Sequence, residues 1–253
     1  MLNRRKFLTG SVVVGLWSAV LPRVARGQQK SDLTHRPQID LPVLADDPVA
    51  VPLQISVDHP MEPEHFIRSL AVSLETDPVP YKGTFLFTPA NGRASVAFQF
   101  RSGIGGVVTV VGECSRHGRF TGTREVRVTE GGCSTPPDRT VRERRGNPLI
   151  RFPRSPRVGE VVEVRTKVDH GSDTGLALKN GRFVRERPEF YVRQMLVFLD
   201  NQKVSEFQMT SAVSPNPLIR FPLKVRGEGT LRVVFINNQG QRWEAVQPIR
   251  PLA

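Results

Sequence analysis

Residues 66–75 read Phe66-Ile-Arg-Ser-Leu-Ala-Val-Ser-Leu-Glu75, a run in which Leu70, Val72 and Leu74 alternate with small or polar residues. A period of two places the apolar side chains on one face of an extended chain, so the run predicts a half-buried β-strand. Similar runs recur about every ten residues, separated by turns such as Thr88-Pro-Ala-Asn-Gly92. The pattern predicts an all-β protein of the sandwich type.

The same run occurs again in the second half of the chain. Tyr191-Val-Arg-Gln-Met-Leu-Val-Phe-Leu-Asp200 matches residues 66–75, and Val168-Asp169-His170 matches Val57-Asp58-His59. The offset grows from 111 residues (59 to 170) to 125 residues (66 to 191), so the second half carries an insertion. We assign the insertion to residues 171–188 and expect a long polar loop there.

The repeat predicts two Ig-like β-sandwich domains in tandem, over residues 37–133 and 150–253, joined by a flexible linker at 134–149. Gly131 and Gly132 precede Cys133 at the end of the first domain, and glycine leaves the backbone unusually free. We therefore expect Cys133 on an exposed, flexible arm. The linker offers a candidate contact for an anion or an acidic partner, with an ordinary solvated linker as the alternative. Its arginines are Arg139, Arg142, Arg144 and Arg145.

The N-terminus has the pattern of an export signal. Asn3-Arg4-Arg5-Lys6-Phe7 is a twin-arginine start, and the apolar run that follows to about Leu21 is short for a membrane span. We expect a signal at residues 1–27, delivery to the periplasm and no stable membrane span after cleavage, with an uncleaved anchor as the alternative. Loss of its five basic residues lowers the net charge from +12 to +7. The remaining chain lacks the basic and aromatic clusters of nucleic-acid binders, and its charge favours an anionic small molecule or an acidic protein surface.

The two cysteines are expected to be unpaired. Residues 107–114 and 121–129 predict a hairpin that places Cys114 at its turn and Cys133 beyond its opposite end, about 25–30 Å away. A disulfide needs Cα atoms within about 7 Å. We interpret Cys114 as a small structural residue, as buried cysteines often are.

No metal, catalytic residue or cofactor is expected from the histidines or from any motif. Only His59 and His65 are close in sequence, and we find no cysteine beside them. His170 lies in the other half, and His35 and His117 occupy polar, turn-like surroundings. The chain also lacks the nucleophile, metalloprotease and phosphate-loop motifs that would indicate a hydrolase.

The succession of motifs resembles the carrier of periplasmic thiosulfate oxidation, with SoxY in the first half and SoxZ in the second. Val128-Thr-Glu-Gly-Gly-Cys133 resembles the arm that ends SoxY chains, and Gly159-Glu-Val-Val-Glu-Val-Arg-Thr166 resembles the opening of SoxZ. The resemblance implies a non-enzymatic carrier that holds sulfur oxyanions on Cys133 and presents them to c-type cytochrome and hydrolase partners. In that family the arm is a free C-terminus, whereas here Ser134 continues into the second domain, which shortens its reach.

Two other functions stay open. Fused chains of this kind also occur beside quinoprotein dehydrogenases, so the protein could be an accessory or chaperone-like periplasmic partner in which Cys133 is incidental. A redox enzyme that uses Cys114 and Cys133 as a pair is the third hypothesis.

Overall fold

The computed structural model describes residues 35–129, 131–136 and 146–252, and these are almost wholly β-structure. The first half contributes β1 (Gln38–Asp40), β2 (Leu44–Ala45), β3 (Val51–Val57), β4 (Ile67–Leu74), β5 (Tyr81–Leu86), β6 (Ala94–Phe100), β7 (Gly106–Cys114) and β8 (Gly118–Val128), with a 3-10 helix at Pro89–Asn91. The second half contributes β9 (Gly146–Arg151), β10 (Val161–Asp169), β11 (Leu176–Lys179), β12 (Arg182–Arg185), β13 (Val192–Leu199), β14 (Gln202–Met209), β15 (Leu218–Lys224), β16 (Gly229–Asn237) and β17 (Arg242–Ile249).

Two sheets run through both halves. Within the described ranges, one sheet has six strands in the order β1-β3-β6-β15-β10-β9, and the other has nine in the order β17-β16-β13-β14-β5-β4-β7-β8-β2. The predicted all-β fold with two sandwich domains is confirmed. The strand orders show in addition that the domains are joined edge to edge through their sheets.

The internal repeat is visible in the arrangement of the strands. β3, β6, β4 and β7 of the first half correspond to β10, β15, β13 and β16 of the second, and each set occupies mirrored places in the sheet orders. A β-bulge recurs with them, between Ile67 and Ser69 in β4 and between Val192 and Gln194 in β13. The matched sequence runs therefore fold into matched strands, down to their irregularities.

The junction between the domains is a buried aromatic layer. Antiparallel β5 and β14 place Phe85 opposite Phe207, whose ring centroids lie 5.5 Å apart. Phe98 also packs edge-on against Phe207, with centroids 4.9 Å apart. Asn91 crosses the junction, where its amide donates to Ser205 Oγ at 2.8 Å and to the carbonyl of Pro222 at 2.9 Å. Apolar burial with satisfied polar groups makes the described residues one compact unit.

Two local predictions have clear outcomes. The hairpin around residues 115–118 is confirmed, since β7 and β8 pair with Cys114 opposite Gly118. The loop expected over residues 171–188 is wrong in part, because it contains the hairpin β11–β12. Asn180 and Gly181 have φ values of 49° and 72° and supply the two-residue turn that such hairpins require.

Several sequence-based predictions lie outside the described residues. They are the export signal at residues 1–27 and the four linker arginines, Arg139, Arg142, Arg144 and Arg145. Among the residues that are described, no helix is long and apolar enough to cross a membrane.

Candidate functional site

Cys133 lies in a packed turn at the end of the first domain, where its side chain is 1 % exposed. The amides of Ser134 and Thr135 donate to the carbonyl of Gly131, and the Gly131 amide donates to the carbonyl of Gly103 at 3.1 Å. The expectation of an exposed arm is therefore wrong. The turn folds back against the loop between β6 and β7 instead of extending into solvent.

The two glycines permit close packing of the turn. Gly131 has a φ of 101°, which L-residues rarely adopt, and a Cβ on Gly132 would lie 2.2 Å from the carbonyl oxygens of Pro48 and Ser102. Such contacts leave room for glycine alone at this position. Gly131 and Gly132 were expected to supply flexibility, and the structure gives them this packing role.

Arg101 ties the Cys133 turn to both domains. It is fully buried, and its Nη1 donates to the carbonyls of Gly132 at 3.1 Å and Thr135 at 2.7 Å. Its Nη2 donates to the carbonyl of Ser172 in the second domain at 2.7 Å. The hydroxyl of Thr174 donates to the carbonyl of Cys133 itself. The turn is therefore held by one guanidinium and by a loop of the SoxZ-like half.

A buried ion pair lies next to this turn. Lys82 Nζ contacts Asp77 Oδ2 at 2.6 Å, and both side chains are wholly buried. The other carboxylate oxygen of Asp77 accepts from the Gly103 amide at 2.6 Å and from the Ser102 hydroxyl at 3.1 Å. Charges at such depth persist because they are paired and hydrogen-bonded.

The environment keeps the Cys133 thiol protonated. Burial raises its pKa to about 11 and the Asp77 carboxylate adds to the rise, while Lys82, Arg101 and a backbone hydrogen bond with Val79 oppose it. The thiolate is the nucleophilic form, so Cys133 is unreactive in this conformation. Two cations nevertheless lie close enough to favour a negative charge once one is formed there.

Cys114 and Cys133 are both free, as expected for two ends of one hairpin, and both are buried. Cys114 ends β7 at one end of the sandwich, and Cys133 follows β8 at the other. At about 3.3 Å per residue, the eleven residues of β8 separate them by about 30 Å. A Cys114–Cys133 redox pair is therefore contradicted by the geometry.

A second cluster lies around Cys114. The structure places four histidines and this cysteine so that one nitrogen or sulfur of each lies within 4.8 Å of the others. They are His35, His59, His65, Cys114 and His117. These residues were expected to be unrelated, and that expectation is wrong, because three separate connections converge at one end of the sandwich.

Two of the three connections contribute two candidate metal ligands each. His59 and His65 lie in the loop between β3 and β4, while Cys114 and His117 flank the β7–β8 turn. The two loops are tied together, since the Ser115 amide donates to the carbonyl of Phe66 at 2.8 Å. The ring of Phe120 stacks on His35, with centroids 4.5 Å apart.

The spacing of these residues in the sequence carries a signal for this cluster. His59 and His65 are six residues apart, and Cys114 and His117 are three apart on a tight turn. Pairs of ligands on short connections are typical of metal sites. The two pairs, however, come from distant parts of the chain.

The four donor nitrogens form a closed ring. His35 Nε2 lies 3.1 Å from His59 Nε2, which lies 3.0 Å from His65 Nε2. His117 Nδ1 closes the ring at 3.1 Å from His65 and 2.9 Å from His35. Burial and the neighbouring His59 and His117 lower the pKa of His65, which favours neutral imidazole there. Four imidazoles and a thiol of this kind are a candidate metal-binding set.

Comparison with known families matches residues 23–133 to the sulfur oxidation protein SoxY. Residues 150–248 match the sulphur oxidation protein SoxZ. The chain belongs to the sulfur-oxidation carrier proteins. Within that class it is a fusion of SoxY and SoxZ, present as tandem domains in that order, as the sequence motifs predicted. No curated protein matches the chain.

The chain has partial similarity to solved structures. Superoxide reductase (neelaredoxin) from Ignicoccus hospitalis is 28 % identical, with a TM-score of 0.35 over 38 % of this chain and 82 % of that one. The reduced superoxide reductase from Archaeoglobus fulgidus is 22 % identical, with a TM-score of 0.31 over 38 % of this chain and 93 % of that one. Likeness at this level carries no argument.

Proposed function

We propose that the protein is a periplasmic carrier that holds sulfur-oxyanion cargo covalently on Cys133. The observation that supports this most directly is the position of Cys133. It ends the SoxY domain in a Gly131-Gly132-Cys133 turn, beside the buried cations Lys82 and Arg101. Both cations favour a negatively charged sulfur at this place. Delivery to the periplasm rests on the twin-arginine start alone.

Loading joins the Cys133 sulfur to an anion such as thiosulfate. A bond forms between Cys133 Sγ and the terminal sulfur of thiosulfate, the thiol proton leaves to solvent, and two electrons pass to c-type cytochrome partners. The product is a thiol-bound sulfane sulfonate. A hydrolase partner then transfers the sulfonate group to water as sulfate, which leaves a persulfide on Cys133. The carrier supplies the attachment point and the partners supply the redox and hydrolytic chemistry.

The buried position of Cys133 adds a requirement to this proposal. A partner cannot reach a side chain that is 1 % exposed, so the turn over residues 131–136 has to leave its pocket before loading. Opening breaks the Arg101 hydrogen bonds to Gly132 and Thr135, and it brings the thiol pKa back towards its ordinary value. Binding of the partner would offset the free energy needed to open the turn. Arg139, Arg142, Arg144 and Arg145 remain candidates for the docking contact.

Intact-mass measurement of protein purified from thiosulfate-grown cells tests the proposal. We expect an added mass that maps to Cys133 and is released by a thiol reductant. Cys133→Ser should lack the mass and fail to support thiosulfate oxidation, whereas the matched variant Cys114→Ser should keep both. Unmodified Cys133 in growing cells, or full function of Cys133→Ser, would contradict covalent carriage.

The raised pKa and the burial of Cys133 favour a second candidate function. A protein whose thiol stays shielded could act non-covalently, as an accessory partner of a quinoprotein dehydrogenase system. Deletion of the gene should then impair alcohol oxidation rather than thiosulfate oxidation, and Cys133→Ser should restore growth fully. Loss of thiosulfate oxidation alone would exclude this alternative.

A further inference from the structure

We propose that His35, His59, His65, Cys114 and His117 form a mononuclear metal centre that holds iron(II) and keeps one coordination position open to a small anion. All five offer a donor atom within 4.8 Å of the others. The site lies about 30 Å from Cys133, at the other end of the β7–β8 hairpin. Neither site therefore depends on the other.

The spacing of the nitrogens matches a metal at their centre. The four edges of the ring measure between 2.9 and 3.1 Å. The centre of a square with such edges lies about 2.1 Å from each corner, which is the length of a metal–imidazole bond. Such distances also suit N–H···N hydrogen bonds, but each imidazole nitrogen carries either a hydrogen or a lone pair, so linear hydrogen bonds alone do not account for all four contacts of a closed ring.

The tautomer of His59 decides which of its ring nitrogens can bind a metal. His59 Nδ1 lies 2.6 Å from the carbonyl oxygen of Pro60, which can only accept, so Nδ1 carries the hydrogen. The neutral imidazole then presents the lone pair of Nε2 to the ring. A backbone carbonyl that fixes the tautomer in this way is the usual outer contact of a metal-bound histidine.

Cys114 supplies a fifth donor from the buried side. Its Sγ lies 3.6 Å from His59 Nε2 and 3.7 Å from His117 Nδ1. These distances place the sulfur about 3 Å from the centre of the ring, and a shift of about 0.7 Å brings it to a metal–thiolate bond of about 2.3 Å. Cys114 is buried and His117 is exposed, so the sixth position of such a metal faces solvent.

The second domain has a region equivalent to the His–Cys cluster, but the metal ligands are not gathered there. His170 corresponds to His59, and its Nδ1 likewise contacts the following carbonyl, that of Gly171. Its Nε2 lies 3.2 Å from the side-chain nitrogen of Asn237, which ends β16 as Cys114 ends β7. Asn237 in turn donates to Gln241 at 2.9 Å, and Phe190 stacks on His170. In the second domain the side chains of this region are joined by direct hydrogen bonds. In the first domain the nitrogen and sulfur donor atoms converge instead.

The donor set selects the metal. Imidazole and thiolate together suit iron, copper, nickel and zinc. Zinc prefers four ligands in a tetrahedron, whereas this set provides a four-nitrogen ring with an axial sulfur. Five protein donors and one open position complete six-fold coordination, which iron(II) accepts readily. The open position opposite a thiolate fits a small anion.

Metal analysis of the full-length protein, reconstituted anaerobically with iron(II) alone, tests the proposal. We expect about one iron per chain and, after oxidation with ferricyanide, a visible thiolate-to-iron(III) absorption band that shifts when azide is added. Cys114→Ser should lose the band, and His59→Ala should bind iron at least tenfold more weakly. Cys133→Ser is the matched control and should keep both the iron and the band.

Other outcomes overturn the proposal. Iron below about one fifth of an atom per chain, or iron retained unchanged in the double variant His59→Ala, His65→Ala, excludes the site. Iron-loaded protein that lacks the thiolate-to-iron(III) band after oxidation excludes coordination of the iron by Cys114. Circular dichroism of each variant shows that it is folded. If Cys133 carries no cargo while iron binds as expected, the carrier function is contradicted and the metal site is not.

Discussion

The residues that carry the chemistry are two buried thiols in unlike surroundings. Cys114 faces four imidazoles, whereas Cys133 faces a buried ion pair and a guanidinium that holds its turn. The first arrangement suits a thiolate bound to a cation, and the second keeps a thiol protonated until its turn opens.

Removal of the Cys133 thiol is expected to change the pH dependence of stability. Because the folded-state pKa is raised to about 11, the thiol's contribution is fully present below the ordinary thiol pKa and is lost as pH rises through 11. The unfolding free energy of the wild type should therefore fall by about 2–3 kcal/mol more between pH 8 and 11 than that of Cys133→Ser. Urea titrations at each pH measure this, with Cys133→Ala as a second variant without a hydroxyl. Parallel curves for all three proteins would refute the prediction.

Arg101→Met is expected to release the Cys133 turn. The substitution removes donors from the carbonyls of Gly132, Thr135 and Ser172, at a cost of about 3 kcal/mol or more in unfolding free energy. Alkylation of Cys133 at pH 8 should accelerate at least tenfold, as followed by mass spectrometry in the Cys114→Ser background. Arg182→Met, at an exposed position in β12, is the control and should react as the parent does. An unchanged alkylation rate would show that Arg101 does not hold the turn.

At the scale of elements, strands β5 and β14 decide how the two domains meet. They pair over residues 83–86, where Gly83 lies opposite Met209. A Cβ at Gly83 would lie 2.6 Å from the carbonyl oxygen of Gln208. The pairing of β5 with β14, which links the two domains within one sheet, therefore depends on a glycine at position 83.

Gly83→Ala is expected to destabilise the protein by about 1–3 kcal/mol, because the strands have to separate to admit the methyl group. Urea unfolding followed by circular dichroism measures the change. Gly227→Ala is the matched control, since a Cβ there meets no atom within 4 Å. Equal stability of the two variants would contradict the close approach of β5 and β14.

At the scale of the whole molecule, the two domains act as one folding unit. Each sheet continues from one domain into the other, and Phe85, Phe98 and Phe207 fill the space between them. Apolar burial at the junction links the stability of one domain to that of the other. The Cys133 turn also takes hydrogen bonds from Arg101 and Thr174, which lie in different domains.

Cleavage of the connection between the domains should leave the molecule intact. We expect a protein with a protease site introduced between Arg139 and Arg145 to elute at its original volume in size-exclusion chromatography after cutting. The two fragments should separate in denaturant and melt together in one transition without it. The uncut variant is the control. Separate elution of the fragments under native conditions would contradict a shared core.

Much of the fold follows from local pattern, because alternation is a property of neighbouring residues. The runs at residues 66–75 and 191–200 predicted β4 and β13, and the hairpin β7–β8 followed from its turn. The hairpin β11–β12 was missed because its Asn180-Gly181 turn lies in a charged, weakly alternating stretch. The edge-to-edge join of the sheets was not predicted, since contacts between distant strands leave no periodic signal.

The strand pattern, the internal repeat and the SoxY–SoxZ motifs, including the cysteine after two glycines, follow from the order of the residues alone. The location of that cysteine does not, because the burial of Cys133 depends on Arg101 and on a loop of the other domain. The cluster of candidate metal ligands likewise forms only when the chain folds. His35 and His117 are 82 residues apart in the chain and 2.9 Å apart in space. A short-range pattern can place a strand, but convergence of donors requires the chain to return several times to the same end of the sandwich.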